Sequence, residues 1–244
     1  MSLNSKIRIW HISDTHSYHG YLKMPKNVDI VIHSGDAGNA RDQYRSEPEI
    51  RNFAIWYANL PIMYKVYIAG NHDSSLENNF IDKKYFDKLN IDYLFNDSID
   101  VMGLKIWGSP YTPQFGNWSF MKNRAKIGRV WDTIPDDTDI LVTHGPPKGI
   151  LDVSEDRNRQ IEFCGDSALN KRILKLNCKL ICFGHIHNMD DIKNAGVFIP
   201  SNTTTIYSNG SCVTDGKFGK IDTMSNGNLF EVDLVTKEFN ILAW

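Results

Sequence analysis

The chain has 244 residues, and its 27 Lys+Arg against 29 Asp+Glu leave a net charge of −2. That length suits one domain over residues 1–244. The charge balance excludes a polybasic stripe for long nucleic acids and an acidic tail, and 12 Phe, 10 Tyr and 6 Trp argue against disorder.

Cys164, Cys178, Cys182 and Cys212 are too few and too scattered for a disulfide scaffold, and none forms a Cys-x-x-Cys pair. A reducing, cytoplasmic location is the expectation. No apolar run approaches the roughly 20 residues of a membrane helix. Met1–Lys6 does not read as a signal peptide, so no membrane attachment is expected.

In chain order, Ile7–Ser13, Asp29–Ser34, Met63–Ala69, Lys105–Gly108, Asp139–Thr143 and Lys179–Phe183 read as short buried strands. Between them, Glu47–Asn59 reads as a helix with Ile50, Phe53, Ala54 and Tyr57 on one face, Ser46 as N-cap and Pro48 near the first turn. Asn79–Leu89, Asn123–Ile134 and Asp166–Leu176 are further helix candidates. After Gly196 the pattern turns to strands: Val197–Ile199, Thr203–Ser208, Leu229–Val235 and Glu238–Leu242, with turn signals at Asp215-Gly216 and Asn226-Gly227. This alternation predicts an α/β fold of two sheets layered between helices.

In open α/β sheets, ligands bind at the carboxyl ends of strands. Five predicted strands end in Asp14-Thr15-His16, Gly35-Asp36, Gly70-Asn71-His72-Asp73, His144-Gly145 and Gly184-His185-Ile186-His187. Glycine before the polar residue would let the backbone turn tightly. The donors are carboxylate, amide and imidazole, without thiolate, a set suited to Mn, Fe, Zn or a similar divalent ion. In Asp14-x-His16 and His185-x-His187, both partners would face one side if the backbone stays extended. One ion cannot use so many ligands, whereas two ions about 3.5–4 Å apart bridged by one carboxylate can.

This order of motifs, D-x-H, G-D, G-N-H-[DE], a strand-end His and G-H-x-H, resembles the calcineurin-like metallophosphoesterase superfamily. The segments Asn59–Asp73, Ile106–Pro113 and Ile134–Pro147 look like its small metallophosphoesterase-domain-containing (MPPED-type) phosphodiesterase branch. The resemblance implies a four-layer αββα sandwich, two mixed β-sheets flanked by helices, with the metals at one edge. It implies that Asp14, His16 and His187 hold one ion, that Asn71, His144 and His185 hold a second, and that Asp36 bridges them. A hydroxide between the two ions, Mn being the first expectation and Fe, Zn, Ni or Mg alternatives, would attack a small phosphate ester of nucleotide or cyclic-nucleotide type. His72 resembles the family's non-ligand catalytic His, and Asn71 would also contact substrate.

The sequence departs from the protein phosphatase branch. Ala37–Arg41 lacks the Asp-Arg-Gly that follows Gly-Asp there, and Ala69 stands where those enzymes place a phosphate-binding Arg. The rival readings are a phosphomonoesterase or protein phosphatase, and a metal-binding scaffold without catalysis. Asn209, which matches an Asn of the MPPED-type branch, and Trp118 or Phe115 of the loop 111–118 are further substrate candidates. Arg124, Arg129, Arg157 and Arg159 could reach a phosphate. His11 and His33 read as hydrogen-bonded core residues, His19 as a surface residue, and Asp73 as a loop-orienting residue.

Overall fold

The computed structural model describes residues 5–155, 158, 160–189, 191–215 and 221–244. Gly216 of the turn signal, and Arg157 and Arg159, lie outside the described residues.

The short apolar runs form two six-stranded mixed sheets. In sheet one the order is Glu238–Leu242, Asn228–Asp233, Lys6–Ile12, Ile30–His33, Tyr64–Tyr67 and Asp92–Tyr93. Its last four strands are parallel, and the first two add antiparallel. Sheet two runs Gly196–Phe198, Ile206–Asn209, Leu180–Phe183, Ile140–Thr143, Leu104–Ser109 and Asp97–Val101. Its four central strands are parallel, with an antiparallel strand at each edge.

Strand alternation sorts the core into three layers. Ile7, Ile9, Ile30, Ile32, Val66 and Ile68 face Leu104, Ile106, Ile140, Val142 and Leu180 between the sheets. The alternate residues Trp10, Ile12, Val31, Tyr67 and Ala69 pack outward on Phe53, Ala54 and Tyr57 of the helix Gln43–Ala58. On the far side, Trp107, Leu141, Ile181 and Phe183 pack on Trp131, Leu169 and Ile173. Both sheets are thus covered on both faces, which gives the αββα order expected from the motif resemblance.

Some elements differ from the pattern reading. The long helix starts at Gln43 because the Asp42 carboxylate accepts the Arg45 N–H at 3.0 Å and caps it. Ser46 is therefore inside the helix, buried, with its hydroxyl taking the Ser75 N–H. Asn79–Leu89 splits, since Asn79 turns left-handed (φ 57°) and Asp82 caps a new short helix, Lys83–Asp87. Asn123–Ile134 yields one turn, Gly128–Trp131, because the Asn123 side chain accepts the Ala125 N–H and holds a turn there. The Asp166–Leu176 candidate becomes the helix Ser167–Ile173, with the Asp166 side chain accepting the Ala168 N–H as its cap. Asp97–Val101 carries no apolar alternation strong enough to read from sequence, yet it pairs along its whole length with Leu104–Ser109.

His11 and His33 are fully buried. His11 spans the two sheets, with Nδ1 2.7 Å from Ser208 Oγ and Nε2 2.9 Å from Ser34 Oγ. His33 Nε2 lies 3.0 Å from Thr15 Oγ1. His19 is not a surface residue. It is buried against Phe53 and Trp56, and its Nε2 meets Asn52 Oδ1 at 2.9 Å.

Burial pushes His11 and His33 down from 6.5 to about 3. Below 6.5 the unfolded chain takes up protons that the folded chain refuses, so stability is present above that value and falls toward pH 3. At about pH 5 each buried imidazole should cost on the order of 2 kcal/mol. The expected outcome is a lower urea midpoint at pH 5 than at pH 7 in chelator, with the difference reduced in His11→Asn.

Candidate metal centre

The carboxyl ends of the parallel strands of both sheets meet at one edge. The Ser13 N–H donates to the Gly210 carbonyl and the Cys212 N–H to the Ser13 carbonyl, which ties the end of Lys6–Ile12 in sheet one to that of Ile206–Asn209 in sheet two. The motif residues converge on this seam.

Asp14 is fully buried. Its carboxylate accepts the His185 N–H at 2.9–3.0 Å, and its Oδ1 lies 3.1 Å from His187 Nε2. His16 Nε2 faces His187 Nε2 at 3.3 Å. Asp36 Oδ1 accepts the His72 N–H at 2.7 Å. Its Oδ2 lies 3.3 Å from His144 Nε2, 3.9 Å from His72 Nε2 and 4.0 Å from His16 Nε2. Asn71 Oδ1 is 3.0 Å from His144 Nε2. Among the described residues, three sets could each hold a cation: Asp14, His16 and His187; His16, Asp36 and His72; and Asp36, His144 and His185. In each set the ligand atoms lie within 4.8 Å of one another.

The backbone at this seam is not the extended one that the i, i+2 spacing suggested. Asp14, His16, Asp36 and His185 have φ of 49°, 42°, 54° and 69°. Such left-handed conformations of non-glycine residues cost roughly 1–3 kcal/mol and gather at functional sites. The loop after Asp14 is held in this curl by the His16 and Ser17 N–H groups, which donate to the carbonyls of Asp36 and Ala37.

The glycines also act differently from the expectation. Gly35 alone among the three has a positive φ, 105°. At Gly70 a Cβ would lie 2.2 Å from Asp36 Oδ1, and at Gly184 2.0 Å from Asp14 Oδ2. Those two positions are glycine because a carboxylate packs against the Cα.

The electrostatics fit cations. Burial works to raise Asp14, but the hydrogen bond and charge of His187 hold it below the usual carboxylate range. Burial likewise opposes ionisation of Asp36, and His144 and His72 outweigh it. Among the described residues, no lysine or arginine pairs with either carboxylate. His16 Nδ1 is buried without a hydrogen-bond partner. Two imidazole nitrogens 3.3 Å apart beside two buried carboxylates require a shared proton or a cation between them. The donor set, two buried carboxylates among imidazoles with no lysine or arginine beside them among the described residues, therefore suits divalent ions.

A cleft of about 580 Å³ opens over this cluster. Asp36, Asn71, His72, His185 and His187 form its floor. Phe115 and Trp118 line one wall, and the Trp118 ring packs tilted by 46° against His72 with centroids 4.6 Å apart. Tyr111 and Phe120 of the same segment pack on Phe95 instead, so the aromatic loop is part wall and part core. A hairpin, Val153–Glu155 with Ile161–Phe163, contributes Glu155, Glu162 and Phe163 to the lining.

Asn209 does not line the cleft. It is buried, its amide donates to the Ile186 carbonyl and accepts the Ser211 N–H, and it holds the Gly184–His187 loop rather than reaching a ligand. Arg124 lines the cleft, yet it donates to the Cys164 and Gly165 carbonyls. Arg129 borders a separate surface groove with Lys122 and Lys126. Asp73 accepts the Gly70 and Gly38 N–H groups and the Tyr67 hydroxyl, which orients the Gly70–His72 turn.

Two residues that organise the cleft escaped the sequence reading. Asp215 meets His187 Nδ1 at 2.8 Å, and Asn194 bonds both the His187 carbonyl and the Val153 backbone. Asp215 had registered only as half of a turn signal, and nothing local marks Asn194.

The sequence pattern of the calcineurin-like phosphoesterase family matches residues 7–189. The chain belongs to that family. It is 32% identical to human metallophosphoesterase domain-containing protein 1 over 83% of its own length and 65% of that protein's. It is 31% identical to the Caenorhabditis elegans UPF0046 protein C25E10.12, over 79% of its own length and 73% of the relative's. A probable rhamnogalacturonate lyase C of Emericella nidulans is 35% identical over 74% of this chain, but the match spans 17% of that longer protein. Membership makes the chain a calcineurin-like phosphoesterase domain by family, and the match spans about 65% of the human relative's length. No helix among the described residues is long and apolar enough to cross a membrane.

The close approach at Gly184 yields a test. Gly184→Ala should lower stability by roughly 1–3 kcal/mol and reduce divalent-ion binding by displacing Asp14. Gly20→Ala, where a Cβ meets nothing within 4 Å, should do neither. Denaturant midpoints and ion stoichiometry of the two variants measure this.

Proposed function

We propose that the chain is a binuclear metal-dependent phosphodiesterase of small phosphate esters, of nucleotide or cyclic-nucleotide type, acting in a reducing, cytoplasmic setting. The observation that carries the reading is the position of Asp36. Its Oδ2 faces His16, His72 and His144, it belongs to two of the three sets that could hold a cation, and it lies at the floor of the cleft.

In this reading Asp14, His16 and His187 would hold one ion, Asn71, His144 and His185 would hold the other, and Asp36 would serve both. Manganese is the first choice for the donor set. When bound, such a pair supplies Lewis acidity toward phosphoryl oxygens and acidifies a water.

The chain's own residues do the rest. His144 Nδ1 donates to the Ser34 carbonyl at 2.9 Å, which leaves Nε2 as the nitrogen facing Asp36 and Asn71. His72 Nδ1 donates to the Asn39 carbonyl at 2.9 Å, so its Nε2 faces the cleft floor. Trp118 against its ring restricts rotation. From that position His72 delivers a proton to the leaving alcohol oxygen or a hydrogen bond to a phosphoryl oxygen. Phe115, Trp118 and Phe163 offer faces on which a base or an aryl group stacks.

A diester is favoured over a monoester by the charge of the lining. Among the described residues that line the cleft, Arg124 is the one side chain of lysine or arginine type, and backbone carbonyls occupy it. Buried Ala69 stands before the Gly70 turn. Among the described residues, the extra negative charge of a monoester therefore finds no uncommitted guanidinium at the cleft.

Metal-stripped protein resupplied with Mn, Ni, Zn or Mg should hydrolyse bis(p-nitrophenyl) phosphate faster than p-nitrophenyl phosphate. The reverse preference makes it a monoesterase, and two bound ions with no hydrolysis of either ester make it a scaffold. His72→Ala should keep its ions and lose at least about 10²-fold in rate. Asp36→Asn with wild-type rate and full metal content would remove Asp36 from the bridging position.

A further inference from the structure

The histidines of the cluster are anchored in different ways. His72 and His144 turn Nδ1 toward neutral backbone carbonyls, those of Asn39 and Ser34. His16 Nδ1 is buried and has no partner. His187 Nδ1 instead meets a carboxylate, Asp215 Oδ1, at 2.8 Å. Asp215 belongs to none of the three side-chain sets that could hold a cation.

Asp215 is also tied to the loop that carries His187. It ends the short strand Val213–Asp215, and its own N–H donates to the Asn188 carbonyl at 2.9 Å. Thr214 forms a parallel bridge with Asn188, the residue after His187. On the other side Asn194 is fully buried and donates to the His187 carbonyl at 2.9 Å. The backbone of His187 is thus fixed from two directions, and the remaining freedom is the flip and proton position of its ring.

A neutral imidazole carries one proton. An acceptor at Nδ1 keeps the proton there and leaves the lone pair on Nε2. A carboxylate acceptor does this more strongly than a carbonyl, and it raises the donor strength of the far nitrogen. Here the far nitrogen is Nε2, 3.1 Å from Asp14 Oδ1 and 3.3 Å from His16 Nε2.

We propose that Asp215 is a positioning residue for the cation held by Asp14, His16 and His187, and that it makes this position the tighter of two. The other position lacks its counterpart: there His144 is backed by a neutral carbonyl, and Asn71 supplies an uncharged oxygen. The proposal rests on the two-ion reading above. Within it, Asp215 belongs to none of the ligand sets, and it acts through the His187 ring.

The test is calorimetric titration of the metal-stripped full chain with Mn²⁺ alone at neutral pH, together with the visible spectrum of the Co²⁺ form. The wild type should show two unequal binding events. Asp215→Ala should weaken the tighter event about 10–100-fold, leave the weaker one unchanged and shift the Co²⁺ bands. Asp215→Asn keeps an acceptor oxygen for Nδ1 without the charge, and it should recover part of the loss. It also carries the test if the alanine variant fails to fold.

Wild-type affinities in both variants, or equal weakening of both events, would overturn the positioning role alone. A wild-type chain that binds no divalent ion would overturn the two-ion reading itself, and this proposal with it.

Discussion

Two carboxylates, Asp14 and Asp36, are buried where the carboxyl ends of two sheets meet, with imidazoles rather than lysines or arginines beside them. A buried carboxylate is costly unless it is paired and hydrogen-bonded. Here the pairing is partial. Backbone N–H groups of His185 and His72 take one share, and the faces of His187, His144 and His16 take another. What remains is a demand for positive charge at one place. The rest of the architecture serves to keep the two carboxylates buried at that place and the histidines around them.

The two sheets provide the rigidity. Their facing surfaces are lined by Ile, Val and Leu, and their outer surfaces are covered by helices, so each strand end is held from both sides. His11 crosses between the sheets at Ser208 and Ser34, one residue before the Gly35-Asp36 turn. Gly70 and Gly184 let backbone approach the carboxylates to a distance that a methyl group would forbid. The left-handed residues Asp14, His16, Asp36 and His185 store strain that the surrounding hydrogen bonds sustain.

The walls of the cleft are joined to its floor. Asn194 bonds the backbone of Val153, where the hairpin begins, and the carbonyl of His187. Asn209 bonds the carbonyl of Ile186. Trp118 packs against His72 and Arg41 lies over Trp118, which couples the aromatic wall to the floor.

The fold class and the floor residues were legible in the sequence for one physical reason. A buried parallel strand is a short apolar run, and the first polar residues after it must lie at the sheet edge. The runs ending at Asp14, Asp36, Asn71, His144 and His185 therefore marked both the strands and the polar side chains that gather at their ends. The extent of the helices was less legible, because Asp42, Asp82 and Asn123 stop or start them through single hydrogen bonds rather than periodicity.

The contacts that tune the site could not be read locally. Asp215 pairs with His187 across 28 positions, Asn194 reaches Val153 across 41, and His11 reaches Ser208 across 197. By itself the sequence determined which donors would stand at the strand ends. Only the tertiary structure decided how they converge, because left-handed loops, packed carboxylates and pairings between distant segments exist once the two sheets have closed on each other.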